Sequence, residues 1–135
     1  MADALFPVAL VGGVPVVTAA EEIDITNAGG LRAALGESAA RGSGTSVVDL
    51  TRTLFCDTAG LHALAAARKR ARAAGGDLLL VKPGAAVLRI LAITGLDQVF
   101  ASFTSLDEAR AQVSGAVGGT ARPGVLPDDD DGEES

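Results

Sequence analysis

Within eleven residues, Leu54 to Leu64, the sequence LFCDTAGLHAL holds a thiol, a carboxylate, a hydroxyl and an imidazole in Cys56, Asp57, Thr58 and His62. These are the side-chain types of nucleophilic and acid–base chemistry. His62 follows Thr58 by four residues, which on a helix is one turn along the same face, so a general-base pairing is conceivable on spacing alone. An enzyme needs more than that pair. Nucleophile, base and a charge-stabilising group must converge, and Asp57, Thr58 and His62 are the only candidates. His62 is therefore read as a half-buried packing or hydrogen-bonding group, and Cys56 as a small core residue, since no His stands at a recognisable spacing to activate the thiol. Asp57 has a simpler use as a helix N-cap, its carboxylate accepting from the backbone amides near Ala59 and Gly60.

The flanking segments have to position this group. PVALV and VPVVTA, separated by Gly12 and Gly13, read as an opening β-hairpin. After EEID, the stretch ITNAGGLRAALGESAARG places Leu31, Ala34, Leu35 and Ala39 on one helical face, with Asn27 as its cap and Gly42 as its stop. SVVDL and DLLLV are short apolar runs suited to strands covered on both faces, SVVDL in mid-sheet. Between them, TAGLHALAAARKRARAAGG is an Ala-rich helix closed by Gly75 and Gly76, with Arg68, Lys69, Arg70 and Arg72 toward its C-terminal end, where cations favour the macrodipole. GAAVLRILAITG predicts a shorter helix, QVFASF a last strand, and SLDEARAQVSGAV a terminal helix with Ser105 and Glu108 at capping-box spacing. Strands alternating with helices after a hairpin imply an α/β fold, a mixed sheet of about four to five strands with helices packed against it.

Composition narrows the function. With four Phe and neither Trp nor Tyr in 135 residues, the chain offers no aromatic platform for single-stranded nucleic acid. Residues 1–117 carry ten Lys or Arg against eleven Asp or Glu, a net −1, whereas residues 118–135 carry one Arg and six acids, a net −5. A nearly neutral body argues against a nucleic-acid duplex or an anionic membrane as partner. The Gly, Pro and clustered charge of GGTARPGVLPDDDDGEES predict a disordered acidic tail over 118–135 behind a domain at 1–117. One Cys and one His exclude an internal disulfide and the usual four-ligand zinc site, and no other metal or cofactor is indicated. The opening residues lack a basic leader, and their apolar run breaks at Gly12, Gly13 and Pro15, short of a membrane span, so the expectation is a cytoplasmic protein.

Four fragments in order, EEID, DTAGL, AGGD and ITGL, make the stretch from about Val14 to Val117 resemble the STAS-domain family of bacterial anti-sigma factor antagonists. The resemblance implies a single STAS-like domain and a non-enzymatic role. It also implies that the hydroxyl after the motif aspartate, here Thr58, is the phosphoacceptor of a serine/threonine kinase that is itself the anti-sigma factor. Asp24, Asp57, Thr58, Ala59, Gly60 and Leu61 would form the partner surface, with Glu22 or Glu21 adding to an anionic rim. The implied partner is an anti-sigma factor kinase of the histidine-kinase-like ATPase type, with a serine/threonine phosphatase as a candidate for the reverse step. The sequence has Thr58 then Ala59 where the family more often has Ser and then Ser or Thr, and it lacks the glycine that usually precedes the E-(I/L)-D motif. These departures sustain an alternative, a STAS docking or scaffold module in a regulatory or transport-accessory complex whose Thr58 is never phosphorylated.

Overall fold

The computed structural model describes residues 6–41 and 44–117, with side chains through residue 113. The hairpin forms as its turn residues require: β1 (Val8–Val11) pairs antiparallel with β2 (Val14–Thr18), and Gly12 and Gly13 between them both take positive φ, 59° and 83°. The chain then runs through β3 (Glu22–Ile23), α1 (Ala28–Arg41), β4 (Ser46–Asp49), β5 (Phe55–Cys56), α2 (Thr58–Ala73), β6 (Leu78–Val81), α3 (Ala85–Thr94), a 3-10 turn at Leu96–Gln98, β7 (Ala101–Phe103) and α4 (Leu106–Val117). Five strands make one mixed sheet in the order β1-β2-β4-β6-β7, with every pairing after the hairpin parallel and β4 in the middle.

Alternation along the strands divides the apolar residues between two faces. Val17, Val48, Leu78 and Leu80 face Leu31 and Leu35 of α1, Leu61 and Leu64 of α2, and Leu91 of α3 in one buried cluster. Val16, Val47, Leu79, Val81 and Phe103 form the second with Ala109, Leu106 and Val113 of α4. Both faces of the central strands are thus dry, which is why SVVD and LLLV are nearly continuous apolar runs.

Two details refine the expected elements. QVFASF is divided, since Gln98 closes the 3-10 turn and the strand begins at Ala101. At α4 the Ser105 hydroxyl accepts from the Glu108 N–H at 3.0 Å, but the Glu108 carboxylate reaches one residue further back, to the Thr104 N–H at 2.8 Å. The proposed stop at Gly42 and the tail at 118–135 lie outside the described residues.

A second, two-stranded sheet was not legible in the sequence. β3 pairs parallel with β5, Glu22 opposite Phe55 and Ile23 opposite Cys56, and the Asp57 N–H continues the ladder to the Ile23 carbonyl at 3.0 Å. The approach to it is fixed by Leu54 N–H to Glu21 carbonyl, 2.7 Å, and by the buried Thr53 hydroxyl donating to the Ala20 carbonyl, 2.8 Å. α2 is pressed onto this pair at Gly60, where an added Cβ would lie 2.6 Å from Cγ2 of Ile23 and 2.7 Å from Sγ of Cys56. Ile23 is β-branched and buried, so it cannot swing away. Gly60→Ala is therefore expected to destabilise the fold by about 1–3 kcal/mol, the usual range for overpacking a closed site. In urea unfolding the midpoint should fall with little change in slope; an unchanged midpoint would show that the contact is not tight. Gly76→Ala should cost at least as much, because its Cβ would collide with the backbone carbonyl of Gly44.

Candidate functional site

The parallel register brings two acidic turns side by side. Asp24 and Asp57 each stand one residue beyond the paired Ile23 and Cys56, on strands that neighbour each other at about 4.8 Å. Each carboxylate then organises the turn that follows. Asp57 has an extended backbone (φ −92°, ψ −174°), and its Oδ1 accepts from the amides of Ala59, 2.9 Å, and Gly60, 3.2 Å, so it is the N-cap of α2. Asp24 Oδ1 accepts from the Thr26 N–H at 3.0 Å and from the Thr26 hydroxyl. That hydroxyl bond, helped by the amides of Thr26 and Asn27 and opposed by partial desolvation, holds the Asp24 carboxyl below the usual aspartate range. The Asp24 group is therefore an anion at neutral pH.

Asn27 precedes the first residue of α1, but its side chain does not cap forward. Its Oδ1 accepts from the Asp24 N–H, 2.9 Å, and its Nδ2 donates to the Glu22 carbonyl, 2.7 Å. The expected helix cap is a clasp on the preceding loop, and it fixes the position of Asp24. The amide oxygen has turned toward the amide donor presented by the tight turn.

Thr58 is the first residue of α2 and is exposed. Asp57, Ala59 and Asp24 are half-buried around it, whereas Gly60 and Leu61 are buried and shape the site from beneath. Glu21 and Glu22 are exposed. His62, one turn further along, is exposed rather than half-buried, because the packed face of α2 runs through Leu61, Ala63 and Leu64. Cys56 is buried; desolvation, and secondarily the Asp57 charge, pushes its thiol up to about 12, and its Sγ donates to the Asp57 carbonyl at 3.6 Å. It is a protonated packing group at physiological pH.

Three large apolar side chains surround the acids and were missed in the sequence. Ile25 is 79% exposed, Leu54 68% and Phe55 49%. Ile25 follows Asp24 in its turn, and Leu54 and Phe55 lead into Cys56 and Asp57. The run LFC looks like a buried strand, but the buried Thr53 and Cys56 carry its inward contacts. The available signal was length: three apolar residues between the polar TRT and Asp57 are too few for a covered strand. Exposed apolar side chains thus stand close in the chain to both acids, a mixture of residue types common in the cores of protein interfaces.

Comparison with known proteins identifies the family and the fold. The STAS domain family matches residues 7–109. The anti-sigma-F factor antagonist RsfB of Mycobacterium tuberculosis is 32% identical over 103 residues, which cover 76% of this chain and 84% of that protein. The crystal structure of an anti-sigma factor antagonist from Mycobacterium paratuberculosis superposes with a TM-score of 0.72 at 33% identity, covering 81% of this chain and 92% of that one. The Bacillus protein SpoIIAA shares the fold in its unphosphorylated form (TM-score 0.63, 19% identity, 87% and 99% covered) and in its phosphorylated form (0.62, 18%, 80% and 98%). With the family matched over most of its length and a relative at 32% identity, the chain belongs to the STAS domain family.

Proposed function

We propose that this protein is an anti-sigma factor antagonist that docks an anti-sigma factor on the surface around Asp57 and Thr58, releasing the sigma factor, and that phosphorylation of Thr58 ends the contact. The observation that carries the reading is the exposed Thr58 at the first turn of α2, directly after a strand whose Leu54 and Phe55 are exposed and beside the turn that carries exposed Ile25. The relatives named as antagonists supply the class of partner. The finer assignment is an anti-sigma factor that is also a serine/threonine kinase of the histidine-kinase-like ATPase type, acting in the cytoplasm. No helix among the described residues is long and apolar enough to cross a membrane.

The switch follows from charge placed on an apolar contact. The Thr58 oxygen takes the γ-phosphoryl group of ATP, ADP leaves, and the hydroxyl proton passes to a base on the kinase. The new group carries about −1.5 to −2 charge at neutral pH. Two of the first amides of α2 already bond the Asp57 carboxylate, so the phosphate cannot sink into the helix N-terminus. It stays on the surface beside a like charge and must be desolvated if a partner is to close over it. The helix itself tolerates the anion, since its dipole favours negative charge at this end. Binding is lost while the fold persists.

Isothermal titration against the cognate anti-sigma factor, with and without ATP, tests the proposal. Thr58→Ala should bind like the unmodified chain and keep its affinity after incubation with ATP, whereas Thr58→Glu should bind at least tenfold more weakly, about 1.4 kcal/mol. Retained affinity in Thr58→Glu, together with no phosphate on Thr58 by mass spectrometry, would replace the switch with the constitutive docking module. Phe55→Ala should also cost about tenfold or more, as for an aromatic anchor, without lowering stability much because the ring is half exposed. Unchanged affinity in Phe55→Ala would move the interface away from β5.

A further inference from the structure

The clustered cations at the far end of α2 take no part in the site at Thr58. Arg68, Lys69, Arg70 and Arg72 are four of the ten Lys or Arg residues in 1–117, gathered within five positions. Asp77 is the acid that meets them, 3.4 Å from Nε of Arg68 and 3.5 Å from Nη1 of Arg72. Lys69 and Arg70 are in no ion pair among the described residues, so two positive charges stand beyond what the helix C-terminus, with about half a negative charge, offsets. Lys69, Arg70 and Arg72 are exposed.

Beside this cluster lies a depression of about 180 Å³ lined by Thr45, Arg72, Gly76, Asp77, Gln112 and Val113, among others, its one carboxylate being the Asp77 already in contact with Arg72. It joins the basic end of α2 to the last described side chains of α4. Nε2 of Gln112 is a buried donor with no acceptor among the described residues. The surface thus combines excess positive charge with an unused N–H donor, and it calls for an anionic, acceptor-rich occupant.

We propose that the occupant is this chain's own acidic segment, Asp128 to Glu134. Its six carboxylates are the largest concentration of negative charge in the sequence. Reach permits it. α4 continues only about 6 Å from Val113 to Val117, and the ten residues 118–127 extend for up to about 35 Å. The whole of α2, 16 residues, is about 24 Å long. The contact covers the clustered basic surface of a body whose remaining charges, six bases against eleven acids, are net negative, so this cluster is where an acidic segment finds cations. Because it lies at the opposite end of α2 from Thr58, it leaves the docking surface open.

The test uses the full chain with a nitroxide on Ser135→Cys; the buried, protonated Cys56 does not compete for the label. At low ionic strength, about 20 mM, the amide signals of residues 69–76 should lose more than about half their intensity, and they should recover near 0.5 M salt, where screening falls to a few Å. The double variant Lys69→Glu/Arg70→Glu changes two exposed side chains and should abolish the effect in a folded chain. Full intensity for residues 69–76 at low salt, or broadening that survives either high salt or the charge reversal, would overturn the proposal. So would broadening centred on residues 57–62, which would place the acidic segment at the Thr58 site instead.

Discussion

The site depends on a ladder of two residue pairs. Ile23 opposite Cys56, extended by the Asp57 amide to the Ile23 carbonyl, ties the end of one strand-to-helix connection to the end of another. Without it, Asp24 and Asp57 would sit on independent loops, and the first turn of α2 would have nothing to press against. With it, the hydrogen-bonded backbone sets the spacing of the acids, and Gly60 sets the depth at which the helix begins. The hydroxyl of Thr58 is thereby carried on hydrogen-bonded backbone and a packed helix rather than on a free loop.

How much of this was legible follows from how each element is encoded. The hairpin, the central strands and the helices rest on repeated signals: paired glycines at a turn, apolar runs, helical spacing of Leu and Ala. The β3 and β5 pair has two residues per strand, too short for any period to emerge, and its hydrogen bonds are made by backbone groups that no side-chain pattern reports. Asp57 was readable as a cap because its amide partners lie two and three residues ahead in the same chain. Asn27 was misread because the amide it serves lies behind it, in a turn held by a distant strand. Leu54 and Phe55 are apolar by type, and only the burial of Thr53 and Cys56 shows which residues of that run are spent inward.

The two ends of α2 have opposite electrostatic characters, and the helix supports both. Its N-terminus carries an aspartate cap and a free-standing hydroxyl, while its C-terminus carries four cations held in part by Asp77. Each arrangement complements the macrodipole, so neither strains the helix. Leu61, Ala63, Leu64 and Ala67 between them are buried, which makes α2 both a core element and a bearer of two surfaces. Its burial anchors both ends to one rigid frame.

The tight seat of Gly60 bears on how such proteins diverge. The positions that set the geometry of the hydroxyl, Gly60, Ile23 and Cys56, are mutually in contact, so a change at one demands a change at the others. The positions that a partner would feel, Ile25, Leu54 and Phe55, are exposed and open to substitution without disturbing the fold. Duplicated copies of the gene can therefore acquire separate partners by altering the rim while inheriting the same presentation of the hydroxyl. Several insulated circuits can run in one cell on a common mechanical part.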